Sequence, residues 1–223
     1  MPYDSLFLLI LVIPLIAQIY VSITYGKYKQ IANNKKLTGY DVAKKILENN
    51  GLKDLYVVEV KGTMNDHYDS SRKTVRLSSE VYHGTSIASI AIAAHECSHA
   101  IQDKDGYAFM KIRSFIFPIA SLGTRTAYFI LLLGFIFSSL NLIWAGIGLV
   151  SLGLIFQLIT LPVEFNASSK AKEELKKYNL VNEEELECTN NMLKAAAYTY
   201  VAGVLASALE VLRLILIFTR NRD

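Results

Sequence analysis

Cysteine is scarce in this chain. Its two residues, Cys97 and Cys188, form no metal-ligand pair by spacing and no disulfide framework, so both read as free thiols in a reducing compartment. A large charge excess is missing too. A net charge of +3 is too small to mark a nucleic-acid surface, and no Gly-rich nucleotide loop, internal repeat or low-complexity tract is present. Charged residues make up only 19% of the 223 positions, against 52% hydrophobic, and the apolar residues gather in long blocks rather than at regular spacing. That pattern indicates an integral membrane protein. Histidine is limited to four residues, and two of them stand four positions apart in His95-Glu96-Cys97-Ser98-His99.

The apolar blocks set the organisation. Residues 5–26 carry no formal charge and suffice for one crossing at about 20 residues per span, with Pro14 as a kink. No basic leader precedes them, which favours an anchor over a cleaved signal peptide. Lys27, Lys29, Lys35 and Lys36 follow, whereas the first four residues lack Lys and Arg, so the positive-inside rule places the N-terminus outside and the next segment in the cytoplasm. Residues 114–163 are apolar apart from Arg125 and make two crossings, turning near Ser138 to Asn141. The last block, 195–219, holds Glu210 and Arg213 and reads as a fourth span in preference to an amphipathic helix, although Arg220 and Arg222 then break the charge rule. Arg125 either snorkels to the headgroups or pairs with Glu210.

Between the first two blocks lies a small α+β region. Thr38 and Asp41 have capping-box spacing before a short amphipathic helix that stops at Asn50-Gly51. Residues 55–60 and Thr74–Ser78 are β-branched segments that suggest a small antiparallel sheet. The second lies close before the motif and is either plain scaffold or an edge that binds extended substrate by strand addition.

Residues 86–102 contain no Gly or Pro, are rich in Ala and Ile, and begin with capping candidates Thr85 and Ser86. On the resulting helix His95 and His99 share a face and can offer ring nitrogens to one zinc ion, with Glu96 as general base toward a water. Three protein ligands are usual for a catalytic zinc, and no carboxylate occurs between Asp105 and Glu164. Glu164, delivered where the apolar hairpin returns, is the expected third ligand, with a three-histidine site using His67 or His83 as the alternative. Candidate oxyanion donors are His67, Arg76, His83, Tyr198 and Tyr200; the substrate-binding residues stay unknown.

With the motif placed between apolar blocks, the chain resembles the neutral zinc metallopeptidases of bacterial membranes, the YugP-like family. The segments carrying the likeness are NDHYD (65–69), VRLS (75–78), VYHGTSIAS (81–89), AAHECSHAIQ (93–102) and PVEFNAS (162–168). The resemblance implies a membrane-embedded gluzincin with zinc on His95, His99 and Glu164. One departure is Ser98, where Gly is more frequent, which narrows the groove slightly. A wider likeness links the layout to membrane peptidases acting on prenylated or misfolded segments, whose third ligand begins a Glu-x-x-x-Asp pattern; here Ser168 takes the last place.

The expected architecture is therefore a mainly α membrane protein with about four transmembrane helices and a small cytoplasmic zincin-like subdomain. Its parts are an anchor (1–26), a cytoplasmic part with the sheet and HExxH helix (27–112), a helical hairpin (113–163), a cytoplasmic region with the third ligand (164–194) and a C-terminal helix (195–223). The expected activity is zinc-dependent endopeptidase hydrolysis of protein or peptide substrates at the cytoplasmic side of a bacterial cell membrane, with lipid and not nucleic acid as the other partner. Two alternatives are a catalytically silent metal-binding scaffold and an intramembrane-cleaving protease, the latter requiring the HExxH helix to be a span.

Overall fold

The computed structural model describes residues 2–220, with side chains from Ser5 to Thr219. The side chains of residues 1–4 and of Arg220 and Arg222, whose charges bear on the expected orientation, lie outside that range. The chain is mainly helical: α1 (Pro2–Lys29), α2 (Gly39–Asn49), β1 (Tyr56–Val60), β2 (His67–Asp69), β3 (Thr74–Ser78), α3 (Ser79–His83), α4 (Ile87–Lys104), α5 (Ala108–Ile136), α6 (Leu140–Lys177) and α7 (Glu183–Arg220). Among the described residues, four helices are long and apolar enough to cross a membrane: Ser5–Lys29, α5, α6 and Glu183–Thr219. The helices α1, α5 and α6 continue through Pro14, Pro118 and Pro162 respectively.

Two compact units form. One comprises the chain up to Gln18, Ala108–Pro162 and the chain from Thr199 onward; the other comprises Ile19–Tyr107 and Val163–Tyr198. In the first, α5 and α6 form a hairpin whose turn places Ser138 at a positive φ of 50°. The helices approach closely there, since a Cβ on Gly146 would stand 2.5 Å from the Leu131 side chain. Large apolar side chains such as Phe115, Phe117, Phe129 and Phe135 remain exposed on α5. Glu210 does not pair with Arg125: it meets Arg213 at 3.2 Å, one turn along its own helix, and accepts from the Tyr128 hydroxyl at 3.4 Å. Arg125 is exposed on α5.

The second unit holds the sheet and α4. The expected capping box is present, Thr38 accepting from the Asp41 N–H and Asp41 accepting from the Thr38 N–H. It starts α2, which buries Val42, Ala43, Ile46 and Leu47 and exposes Lys44, Lys45 and Glu48. The sheet is mixed, in the order β1-β3-β2, rather than antiparallel throughout. β1 pairs with β3 in parallel and β2 with β3 antiparallel. The segment joining β1 to β3 contains β2, which folds back on β3 as a hairpin and leaves the other edge of β3 for β1. Both edges of β3 are thus occupied, so Thr74–Ser78 cannot take up a substrate strand. β2 is only three residues long and surrounded by turn formers, so its own residues carry no strand pattern.

Against the sheet and α2 lies α4. It starts at Ser86, whose hydroxyl accepts from the Ser89 N–H at 3.1 Å. Its small residues Ala88, Ala91, Ala93, Ala94 and Ala100 are buried, so neighbouring elements can close on it from several sides. Val42, Ile46, Val75, Leu77, Ile87, Ile90, Ala171 and Leu175 belong to the same core.

Candidate metal centre

Helical spacing alone brings His95 and His99 together, their ring centroids 4.8 Å apart and nearly perpendicular. The third group arrives from α6. Glu164 Oε2 lies 3.2 Å from His95 Nε2 and 3.6 Å from His99 Nε2. One potential ligand atom from each residue lies within 4.8 Å of the others, and this is the group of metal-binding type found among the described residues. Glu164 is only 2% exposed, so its carboxylate faces the imidazoles rather than solvent. Two imidazoles and a carboxylate are a donor set suited to zinc, and burying that carboxylate without cationic partners would be costly. At His99, burial disfavours the imidazolium; the facing Glu164 carboxylate and the Glu96 charge outweigh it and raise the pKa above the ordinary histidine range.

Glu96 lies on a neighbouring flank of α4, where its Oε2 accepts the main-chain N–H of Tyr68 at 3.0 Å. Tyr68 sits in the middle of β2, and its hydroxyl donates to Asp103 Oδ2 at 2.8 Å, also on α4. The edge strand is therefore stapled along the helix at two points, one of them Glu96.

The other two histidines lie elsewhere. His67 is exposed, with Nδ1 2.7 Å from the Asn65 carbonyl, and His83 pairs with Glu59 at 3.2 Å. Arg76 faces Asp69 at 3.6 Å, Tyr198 is exposed near Tyr20, and Tyr200 lies on α7. Cys97 is fully buried on the opposite side of α4, with Sγ 3.7 Å from the Ala43 carbonyl, and burial pushes its thiol pKa up. Ser98 is also fully buried and donates to the Ala94 carbonyl at 2.8 Å, so it narrows no groove.

Sequence reasoning missed Gln102. Its Oε1 lies 2.9 Å from His99 Nδ1, and its Nε2 donates to the Val163 carbonyl at 2.8 Å and to Asn166 Oδ1 at 2.9 Å. The available signal was its place three residues after His99, on the same helix face. Ser168 stands 3.5 Å from His95 Nδ1 through its hydroxyl.

The profile of the family described as "Putative neutral zinc metallopeptidase" matches residues 3–219. The chain is 44% identical over 207 residues to "Putative membrane protease YugP" of Bacillus subtilis (strain 168), spanning 93% of this chain and 92% of that protein. No solved structure matches it.

Proposed function

The chain belongs to this zinc metallopeptidase family, and from that premise we propose that it is a membrane-bound endopeptidase whose zinc would be held by His95, His99 and Glu164. The observation that carries the reading is the gathering of a buried carboxylate from α6 with the two imidazoles of α4. Bound there, zinc supplies Lewis acidity, which lowers the pKa of a water and polarises a substrate carbonyl.

Glu96 handles the proton. One of its oxygens is occupied by the Tyr68 N–H, which fixes the carboxylate's orientation and leaves Oε1 to accept a proton from the attacking water. The same proton passes to the departing amine as the peptide bond breaks. Glu164 and the imidazoles take no part in this transfer.

The four apolar helices support a multi-pass membrane protein, since their exposed Phe, Leu and Ile side chains would form an unusually large apolar surface in water. Lys27, Lys29, Lys35 and Lys36 favour a cytoplasmic site. Intramembrane cleavage would require α4 to be a span. Instead α4 packs among α2, α3 and the sheet and is not one of the four apolar helices.

Glu96→Gln tests the activity. It should retain one zinc per chain and lose peptide hydrolysis, whereas unchanged turnover of every membrane protein in cells carrying this variant would favour a silent scaffold.

A further inference from the structure

Gln102 is fully buried, yet every polar atom of its side chain is engaged. Its orientation follows from one partner. The Val163 main-chain carbonyl can only accept a hydrogen bond, so the end of the Gln102 amide that faces it must be the NH2 group. The oxygen then faces His99 Nδ1, and because that oxygen only accepts, Nδ1 must carry the hydrogen. In the neutral ring the lone pair is left on Nε2, the nitrogen 3.6 Å from Glu164 Oε2.

We propose that Gln102 is a positioning residue of the metal centre, resting on the assignment of His95, His99 and Glu164 as zinc ligands. It transmits the polarity of the Val163 carbonyl across its amide to His99 and so selects the tautomer that presents Nε2 to the metal. The same amide ties α4 to α6 at the residue immediately before Glu164, so one side chain aligns two ligands from different helices. No carboxylate takes this place. A carboxylate at 102 could accept from His99 but would face the Val163 carbonyl without a hydrogen to donate. The outer contacts of both imidazoles are then uncharged, an amide at His99 and the Ser168 hydroxyl at His95.

The test uses the purified full-length chain in detergent with zinc alone as the probe. Nitrogen-15 spectra of the histidine rings in the zinc-loaded wild type should show His99 protonated at Nδ1 and metal-bound through Nε2; coordination through Nδ1 overturns the inference whether or not any variant folds. Chelator competition should show that Gln102→Met, which keeps the length but neither donates nor accepts comparable bonds, still takes up one zinc with affinity lowered about 10–100-fold. Wild-type affinity in Gln102→Met overturns this inference alone. Failure of the wild type to bind zinc, with His99→Ala indistinguishable from it, overturns the ligand assignment and this inference together.

Discussion

His95 and Glu164 are 69 positions apart in the chain, yet His95 Nε2 and Glu164 Oε2 stand 3.2 Å from each other. The whole of α5 and the apolar part of α6 lie between them in sequence. A carboxylate so buried is stabilised by what faces it, here two imidazoles or a cation that they share. Glu164→Ala should therefore weaken zinc binding by orders of magnitude, as measured by metal content after dialysis against a chelator. Stoichiometric zinc in Glu164→Ala, with loss in His67→Ala or His83→Ala, would move the site to a three-histidine arrangement.

Zinc binding should depend on pH through His99. Its pKa in the metal-free protein is raised above the unfolded value, so protonation stabilises the metal-free fold. That contribution is fully present below the unfolded histidine pKa of about 6.5 and is lost as pH rises through the higher folded value. Zinc competes with the same proton. The difference in melting temperature between zinc-loaded and metal-free protein should accordingly widen as pH rises through that window, and a constant difference would contradict the coupling.

The capping box makes a separate acid-range prediction. Hydrogen bonds from Thr38 lower the Asp41 pKa, so its contribution to stability is present above the unfolded aspartate value and lost as pH falls through the lower folded one. Thr38→Ala should cost about 0.5–2 kcal/mol in chemical denaturation. Asp41→Asn should flatten the acid limb of the stability profile.

Gly39 opens α2 against α3, and a Cβ there would stand 2.2 Å from the Val81 main-chain carbonyl oxygen. Backbone cannot yield as a side-chain end can. Gly39→Ala should destabilise the fold by about 1–3 kcal/mol, read from denaturant midpoints; a neutral effect would mean that the α2–α3 approach relaxes freely.

Orientation is checked by fusions. A reporter joined after Lys36 should be active in its cytoplasmic form, and activity only in an exported form would reverse the assignment of the site to the cytoplasm.

Local chemistry was enough to place several parts of this protein. A capping residue followed by an Ala-rich run without Gly or Pro defines α4, and its period puts His95 and His99 on one face whatever surrounds them. Long apolar blocks mark the apolar parts of the four long helices, although α6 runs on to Lys177 and α7 begins at Glu183, inside the stretch expected as a separate region, and Thr38 with Asp41 defines the start of α2. Pairing between distant segments was not legible in the same way. β3 became the central strand because the hairpin from β2 and the parallel return of β1 took its two edges, and neither partner is encoded in the residues of β3. Likewise, Gln102 reads as one more polar residue near a helix end until the Val163 carbonyl, 61 positions away, fixes which end of its amide faces His99. Local periodicity and capping depend on near neighbours and can be read along the chain; strand order and the direction of a buried hydrogen bond depend on which distant backbone groups need partners once water is excluded, and only the tertiary structure decides that.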